Sequence, residues 1–354
     1  MKTSAARSCR YVLIFAVVLV GACGGKTGPD TYTIITASIV QPVDHQRPGG
    51  RTFVQQVHVL APSGATKDAP VFFNLGNEHD LSERDLVGLY KAYGEPGNVV
   101  FIQAEHRGYG QSVTDDADQS VPYWVAIEAA LADYHRVVER FRKDYPGPWM
   151  GTGYSYGGGL AIHFAAKYPG DLKVVLSSSG VVDWPFTMDA YDRGVRANFG
   201  EAGYKRLARH IVNLEPKKPF DEAWLEREFL IAVVHGATQY GRYQALTPLM
   251  KALAMLPTGA FMKTLHWIDR GIAKEGAWRY ASSNAKPALS RQEKITGRWD
   301  WRVWRFQQCR ETGVFEVSVK PGGVFTRGRN DFIGECVSLF REYPATARGR
   351  EWSP

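Results

Sequence analysis

The sequence lacks the features that mark several classes of protein. It has only 4 cysteines in 354 residues, and its cysteines and histidines show no spacing typical of a zinc site, so no metal or other cofactor is indicated. The formal net charge is +7, and leaving out the three basic residues among the first ten reduces it to a modest +4. With no basic run interleaved with aromatic residues, this is weak evidence for a nucleic-acid partner. Internal repeats and long low-complexity segments are also absent. The composition, with 44% hydrophobic and 22% charged residues, is that of an ordinary globular protein.

The amino-terminal residues have the pattern of an export signal. Three basic residues precede an apolar run over 11–19, which is too short for an ordinary membrane-spanning helix. The four residues that follow end in Cys23 and resemble the cleavage site of a bacterial lipoprotein. We therefore expect a signal peptide over 1–22, a lipid on Cys23, a flexible tether over 23–30 and a location at a membrane of the bacterial cell envelope. An ordinary secretory signal is the alternative.

Export decides how the cysteines are interpreted. Cys9 lies in the predicted signal peptide and Cys23 is the predicted lipid attachment site. Cys309 and Cys336 remain, and two thiols in an oxidising compartment favour a disulfide bond.

Apolar patterning predicts alternating strands and helices in the first half of the chain. Strands are expected over 54–60, 71–75, 99–102 and 172–176, the last three fully buried. An amphipathic helix is expected over 124–145, with its polar side at Asp133, Arg136, Glu139 and Arg142. Its inward positions are Ile127, Leu131, Tyr134, Val138 and Phe141. This alternation predicts an α/β fold with a doubly wound, mostly parallel sheet.

Beyond residue 182 the pattern becomes helical, with prolines between the segments. Helices are expected over 204–214, 221–235, 240–256 and 261–272. We therefore expect a core over 31–182, an inserted helical cap over 183–300 and an incomplete return to the core over 301–354.

The most informative motif is the G-x-S-x-G run at 153–157, with Ser155 at its centre. A strand-like segment precedes it and a helix rich in small residues follows it. A serine on such a strand-to-helix turn is typical of the nucleophile in α/β-hydrolases, where glycines allow the close packing of the turn. The motif therefore indicates an activated serine rather than a structural one.

Six segments together resemble the family of serine peptidases that includes prolyl carboxypeptidase and dipeptidyl peptidase 2, and more distantly the secreted tripeptidyl aminopeptidases. They are QPVDH at 41–45, VFFNLGNE at 71–78, EHRGYGQS at 105–112, GYSYGGG at 153–159 with KYP at 167–169, QCRETG at 308–313, and the F-x-x-x-C run at 332–336. The resemblance implies an α/β-hydrolase fold and peptidase activity on short peptides, with a preference near proline.

The resemblance and the elbow together assign roles to individual residues. Ser155 is the expected nucleophile, and the backbone N–H groups of Tyr156 and of the loop at Asn77 are the expected oxyanion hole. Glu78, Glu105 and Arg107 are expected to support the site, the last two through a shared network. The intervening residue, His106, is expected to be structural.

The resemblance also exposes a departure from the family. In the family, the acid lies in an S-N-G-x-x-D-P-W-like segment beyond the second cysteine motif, and the histidine lies further on; neither segment is found before Pro354. The histidines after Ser155 that remain as candidates for a base are His163, His210, His235 and His266. We therefore expect a chain with the architecture of a serine exopeptidase and impaired catalysis, apparently truncated at its carboxyl end. A carboxylic-ester hydrolase and a non-catalytic peptide-binding lipoprotein are the alternatives.

Overall fold

The computed structural model describes two compact units. We call 1–182 with 289–303 and Pro354 the sheet unit, and 183–288 with 304–353 the helical unit. Cys23 and the predicted tether lie outside the described residues. The described residues are 11–14, 18–21, 32–114, 123–182, 189–217, 221–239, 245–272, 300–313, 324 and 329–340.

The described residues of the sheet unit form eight strands. They are β1 (Tyr11–Ile14), β2 (Val18–Gly21), β3 (Tyr32–Pro42), β4 (Thr52–Pro62), β5 (Val71–Leu75), β6 (Val100–Ala104), β7 (Trp149–Tyr154) and β8 (Val174–Ser178). β1 and β2 form a separate antiparallel pair, and the other six form one sheet in the order β3-β4-β6-β5-β7-β8. β3, β4 and β6 pair antiparallel, whereas β6, β5, β7 and β8 run parallel. The expected mostly parallel α/β sheet is therefore confirmed. β3 was not predicted, because its half-buried residues do not form a clear apolar pattern.

Helices cover both faces of this sheet. They are α1 (Glu83–Ala92), α2 (Ile127–Phe141) and α3 (Tyr156–Lys167). Alternation along β5 separates the faces: Phe72 packs with Tyr90 and Phe101 in the cluster beneath α1, whereas Phe73 contacts Tyr134 on α2 and Phe164 on α3. A capping box at Ser82 begins α1, since its hydroxyl accepts from the N–H of Asp85 and its own N–H donates to the Asp85 carboxylate.

One residue of α2 contradicts the amphipathic prediction. The five positions expected to face inward are all buried: Ile127, Leu131, Tyr134, Val138 and Phe141. Asp133, expected on the polar side, is also fully buried. Its carboxylate is paired with Arg107 from the end of β6, and this tertiary contact removes it from solvent.

β8 differs from the fully buried strand that was predicted. It lies at the edge of the described sheet, paired only with β7 among the described strands. Val174 and Leu176 are 55% and 48% exposed. An edge strand with exposed apolar side chains offers unpaired backbone groups to another strand.

The described part of the helical unit is built from helices. They are α4 (Asp189–Asn213, interrupted at Gly200), α5 (Glu222–Gln239), α6 (Thr247–Leu253), α7 (Thr258–Ile272), α8 (Asp300–Gln307, whose first residues belong to the sheet unit), a π-helical turn (Gln308–Thr312) and α9 (Arg329–Phe340). None of the helices in the described residues is long and apolar enough to span a membrane. Cys309 and Cys336, the two cysteines expected to pair, form a disulfide with Cα atoms 5.5 Å apart. Residues 304–353 group with this unit, which differs from the predicted return to the core over 301–354.

Candidate active site

Ser155 occupies a strained turn between β7 and α3. Its φ of 52° and ψ of −124° lie outside the regions that non-glycine residues normally adopt. The Ser155 N–H donates to the carbonyl of Ser178 on β8, and its carbonyl accepts from the N–H groups of Gly158 and Gly159. Such a conformation costs about 1–3 kcal/mol and persists only where the surrounding contacts impose it. Its side chain is exposed at the carboxyl edge of the sheet, as expected of an elbow nucleophile.

The two flanking glycines are required by close packing. A Cβ atom on Gly153 would lie 2.0 Å from the carbonyl oxygen of Gly157. A Cβ atom on Gly157 would lie 3.0 Å from the carbonyl oxygen of Leu75 and 3.1 Å from Cβ of Asn77. The first turn of α3 therefore packs directly against the loop that follows β5. This is the loop predicted to supply the second oxyanion donor.

Contacts from two directions fix that loop. The N–H of Gly76 donates to the carbonyl of Ala104 on β6 at 2.9 Å. The hydroxyl of Tyr134 on α2 donates to the carbonyl of Gly76 at 2.9 Å. The backbone at Asn77 is consequently held beside the elbow before any substrate binds. Such preorganisation is what an oxyanion hole requires.

Glu78 lies closer to the nucleophile than its predicted supporting role required. The Ser155 hydroxyl donates to Oε1 of Glu78 at 3.3 Å. Glu78 is half-buried. This contact orients the serine hydroxyl, but an ordinary carboxylate has a pKa near 4 and is a weak base toward an alcohol.

Glu105 supports the site by accepting hydrogen bonds from two neighbouring loops. It is fully buried at the end of β6 and accepts from the N–H of Leu81, from the N–H of Gln111, and from both the N–H and hydroxyl of Ser112. Burial raises the pKa of Glu105 to about 7, although the hydrogen bonds from Ser112 and Leu81 oppose this rise. One carboxyl thus connects the loops on either side of β6.

Arg107 has different partners from Glu105. Its guanidinium binds both carboxylate oxygens of Asp133, at 2.6 and 2.7 Å. It also donates to the carbonyls of Pro42 and Val43. The expected Glu105–Arg107 network is therefore wrong in its pairing, and Arg107 instead attaches the amino-terminal QPVDH segment to α2. Sequence patterns gave no signal for this, because Asp133 stands at a position that the helical periodicity assigns to solvent.

His106 is structural, as expected, and lies under the elbow. It is fully buried; its Nδ1 is 2.6 Å from the carbonyl of Arg107, and its Nε2 is 3.2 Å from the hydroxyl of Tyr156. Burial lowers the pKa of His106 to about 4, so the ring is neutral near pH 7. A neutral ring that donates from Nδ1 accepts from the Tyr156 hydroxyl at Nε2. This pair holds the side chain of the residue after the nucleophile.

The four histidines that were candidates for the catalytic base are accounted for by their positions in the fold. His163 is on α3, eight residues after Ser155, a rise of about 12 Å along the helix. His210 has one ring nitrogen at 2.9 Å from the Thr258 hydroxyl and the other at 3.0 Å from the Ala254 carbonyl.

The other two are on α5 and α7 of the helical unit. His235 lies on α5. His266 lies on α7, with Nε2 2.9 Å from the Glu226 carboxylate and its ring stacked on Phe229. His210 and His266 are therefore explained by packing and pairing within that unit.

No cluster of metal-binding side chains accompanies the elbow. Within the residues that the structure describes, no three or more histidine, cysteine, aspartate or glutamate side chains are grouped so that they could hold a metal ion. The elbow places the Ser155 hydroxyl next to the backbone N–H groups of Tyr156 and Asn77, which suits attack on a carbonyl carbon.

Comparison with known proteins agrees with this geometry. Residues 41–214, from the QPVDH segment through the elbow to the end of α4, match the family model described as serine carboxypeptidase S28. This segment belongs to the S28 family of serine peptidases. The S28 match includes every sheet-unit residue to which a catalytic or supporting role was assigned above.

Among the proteins similar to this chain, some are described as carboxypeptidases and others as aminopeptidases. Lysosomal Pro-X carboxypeptidase of Bos taurus is 29% identical over 206 residues, which are 53% of this chain and 41% of the relative. Prolyl tri/tetrapeptidyl aminopeptidase of Streptomyces mobaraensis is 31% identical over 144 residues, 40% of this chain and 28% of the relative. A protein of Arabidopsis thaliana described as a probable serine protease is 24% identical over 339 residues, 85% of this chain and 67% of the relative. The chain thus spans less than half of the length of the first two relatives.

Proposed function

We propose that this chain is a serine-type exopeptidase that acts on short peptides, with a preference near proline. The observation that carries the proposal is the strained backbone of Ser155 beside the loop at Asn77. The relatives named for prolyl substrates support the choice of peptides over simple esters.

In the proposed reaction, Ser155 Oγ attacks the carbonyl carbon of the scissile peptide bond. The backbone N–H groups of Tyr156 and Asn77 donate to the oxygen that becomes negatively charged. Losing one such donor typically costs about 3–4 kcal/mol of the activation barrier. The tetrahedral intermediate then expels the amine, which takes up the proton that the Ser155 hydroxyl released on attack. Water hydrolyses the ester left on Ser155, and one of its protons restores the hydroxyl.

We further propose that the serine is only weakly activated in this chain. The described partner of its hydroxyl is Glu78, and a serine–carboxylate contact is a poor substitute for a histidine base at neutral pH. In serine peptidases, a nucleophile without its histidine base can be slower by roughly six orders of magnitude. A peptide-binding protein with slow or absent turnover is therefore the second candidate function.

Attachment of the mature chain to an envelope membrane through lipid on Cys23 is part of the same proposal. It is supported by the basic, apolar and cysteine-containing start of the sequence. Replacing Cys23 with alanine should release the protein from the detergent phase. An unmodified amino terminus on membrane-retained protein would contradict the lipid attachment.

The test of catalysis is labelling and hydrolysis by the purified chain, with Ser155→Ala as the control. We expect slow, stoichiometric labelling by a fluorophosphonate, absent in Ser155→Ala, together with weak cleavage of prolyl peptides. Labelling that is equal in Ser155→Ala would refute the assignment of the nucleophile. Cleavage of simple esters without any cleavage of peptides would favour the esterase alternative. Peptide binding without labelling would favour the binding protein.

A further inference from the structure

A cavity of about 480 Å³ adjoins the elbow on the face of the sheet that α1 covers. Its lining includes Tyr154, the residue before the nucleophile, and Asn77, from the loop that packs against α3. Leu89 of α1 forms part of its apolar wall. The volume lies within the range of about 300–1,000 Å³ that is usual for small-molecule sites. Asn77 is the one residue with an assigned catalytic or supporting role that lines this cavity.

Asn74 gives the cavity an unsatisfied polar group. It is the fourth residue of β5, on the same face as Phe72, where the neighbouring side chains form an apolar cluster. The side chain is 7% exposed and lines the cavity. Its buried Oδ1 has no hydrogen-bond partner among the described residues. A buried polar atom without a partner costs about 1–3 kcal/mol, so a ligand that donates a hydrogen bond to Asn74 Oδ1 would remove this cost.

Asn77, nearer the nucleophile, has a similarly unsatisfied side-chain oxygen. Its Oδ1 is also buried and accepts no hydrogen bond from the described residues. A carboxamide can both donate and accept, and rotation by half a turn exchanges its oxygen and nitrogen. The carboxamides of Asn74 and Asn77 therefore offer hydrogen bonds suited to a peptide group.

Arg84 adds a positive charge with open donors. It is an exposed residue in the first turn of α1 and lines the cavity. It makes no hydrogen bond or ion pair with the described residues. The carboxylate of Asp85, which also lines the cavity, already accepts from the N–H and hydroxyl of Ser82. His79 at the rim has its Nδ1 2.5 Å from the carbonyl of Asp80. The guanidinium is thus the positively charged group of the lining whose donors are open to a ligand.

We propose that this cavity binds the carboxyl-terminal residue of a peptide, with Arg84 on the terminal carboxylate and Asn74 and Asn77 on the adjoining peptide group. The proposal rests on the proposed peptidase function, since it gives that site its substrate class. A carboxylate matches the planar, two-pronged donor set of a guanidinium. In the main chain of a peptide, that group occurs only at the carboxyl terminus. Because Tyr154 and Asn77 line the cavity, a carboxyl terminus bound there would lie beside the elbow, and the chain would act as a carboxypeptidase.

Binding measurements test the cavity without requiring turnover. In the Ser155→Ala background, titration calorimetry compares N-acetylphenylalanine with N-acetylphenylalanine amide. We expect the free acid to bind tighter by on the order of tenfold, because a charge-assisted pair is about twice as strong as a neutral one. Arg84→Gln should reduce the affinity for the acid to that for the amide. Asn74→Leu should weaken the binding of both probes.

Lys91→Gln is the matched control, since it removes one positive charge from the exposed surface of the same helix away from the cavity. It should leave the preference for the acid unchanged. Equal binding of acid and amide, absence of binding by either, or a preference that survives Arg84→Gln would overturn the proposal. Circular dichroism of Arg84→Gln shows that a lost preference does not come from unfolding.

The cavity and the peptidase function can fail separately. Acid-selective binding that depends on Arg84 upholds the carboxylate site even if the purified chain cleaves no peptide, in which case only the peptidase function falls. Cleavage of carboxyl-terminally amidated peptides as fast as their free acids, by wild type and Arg84→Gln alike, would uphold the peptidase and overturn the site.

Discussion

Glu105 and His106 are adjacent, fully buried and perturbed in opposite directions, which predicts a compensated pH dependence of stability. The pKa of Glu105 rises from 4.5 to about 7 and that of His106 falls from 6.5 to about 4. Both changes come chiefly from burial, because each group is harder to charge in the protein than in water. Each pKa unit corresponds to about 1.4 kcal/mol, so each residue contributes about 3 kcal/mol of pH-dependent stability.

The sign differs between the two residues. Between pH 4.5 and 7 the folded state holds the Glu105 proton that the unfolded state has released, so stability from Glu105 is lost as pH rises. Between pH 6.5 and 4 the unfolded state takes up a proton that folded His106 does not, so stability from His106 is lost as pH falls. From pH 4.5 to 6.5 the two contributions cancel, and the wild-type sheet unit should show little dependence on pH from this pair.

Glu105→Gln should remove the contribution of Glu105 and leave that of His106 unopposed. We expect the variant to lose about 3 kcal/mol more stability than the wild type between pH 6.5 and 4. A pH-independent loss of about 1–3 kcal/mol should add to this, because a carboxamide cannot accept from all the donors that face the carboxyl group. Hydrogen exchange of the β5 and β6 amides, corrected for intrinsic rates, measures the opening free energy of the sheet unit at each pH.

Glu95→Gln, at an exposed position after α1, is the control and should keep the wild-type profile. Burial also lowers the pKa of His58 and of His163, so the test is the difference in slope between Glu105→Gln and the wild type. The reasoning is refuted if the two profiles have the same slope from pH 6.5 to 4, since Glu105 would then not hold a proton in the folded state.

Three further predictions concern stability and association. Asp133→Ala leaves the charge of Arg107 buried without its carboxylate and should destabilise the sheet unit by about 3–5 kcal/mol, measured by the same exchange experiment; an effect below 1 kcal/mol would show that the backbone carbonyls alone satisfy the guanidinium. Thiol titration of the unfolded, unreduced chain should find no free thiol at Cys309 or Cys336, and removing their bond, which closes a loop of 27 residues, should cost roughly 3 kcal/mol in urea unfolding of the helical unit. Leu176→Lys replaces an exposed apolar side chain on the edge strand with a charged one, so any self-association measured by light scattering should decrease without a lower melting temperature. Unchanged association would show that this strand does not mediate it.

Much of the elbow could be predicted from the sequence because its determinants are local. Gly153 and Gly157 stand within two residues of Ser155, and the contact that excludes a Cβ atom at Gly153 arises inside that one turn. The inward face of α2 was likewise predicted, since a helix repeats every 3.6 residues and its apolar positions lie on one side.

The supporting contacts could not be predicted in the same way. Arg107 and Asp133 are 26 residues apart, and only the packing of α2 against the sheet brings their charges together at a buried position. Glu105 is only two residues from Arg107 in sequence, but the two side chains have different partners. The Glu105 carboxylate accepts hydrogen bonds from the N–H groups of Leu81 and Ser112. Strand β8 was expected to be buried because its residues are apolar, but burial depends on whether another strand lies beside it.

The sequence by itself therefore determined the strained serine turn, the alternating strands and helices, and the S28 resemblance, because each follows from residues close together in the chain. Only the tertiary structure decided which charges pair, that Glu78 reaches the Ser155 hydroxyl, and that Asn74 and Arg84 line one cavity beside the elbow. Those outcomes depend on the order of strands in the sheet and on the helix covering each face. A side chain's neighbours across a sheet come from segments that the local sequence does not contain.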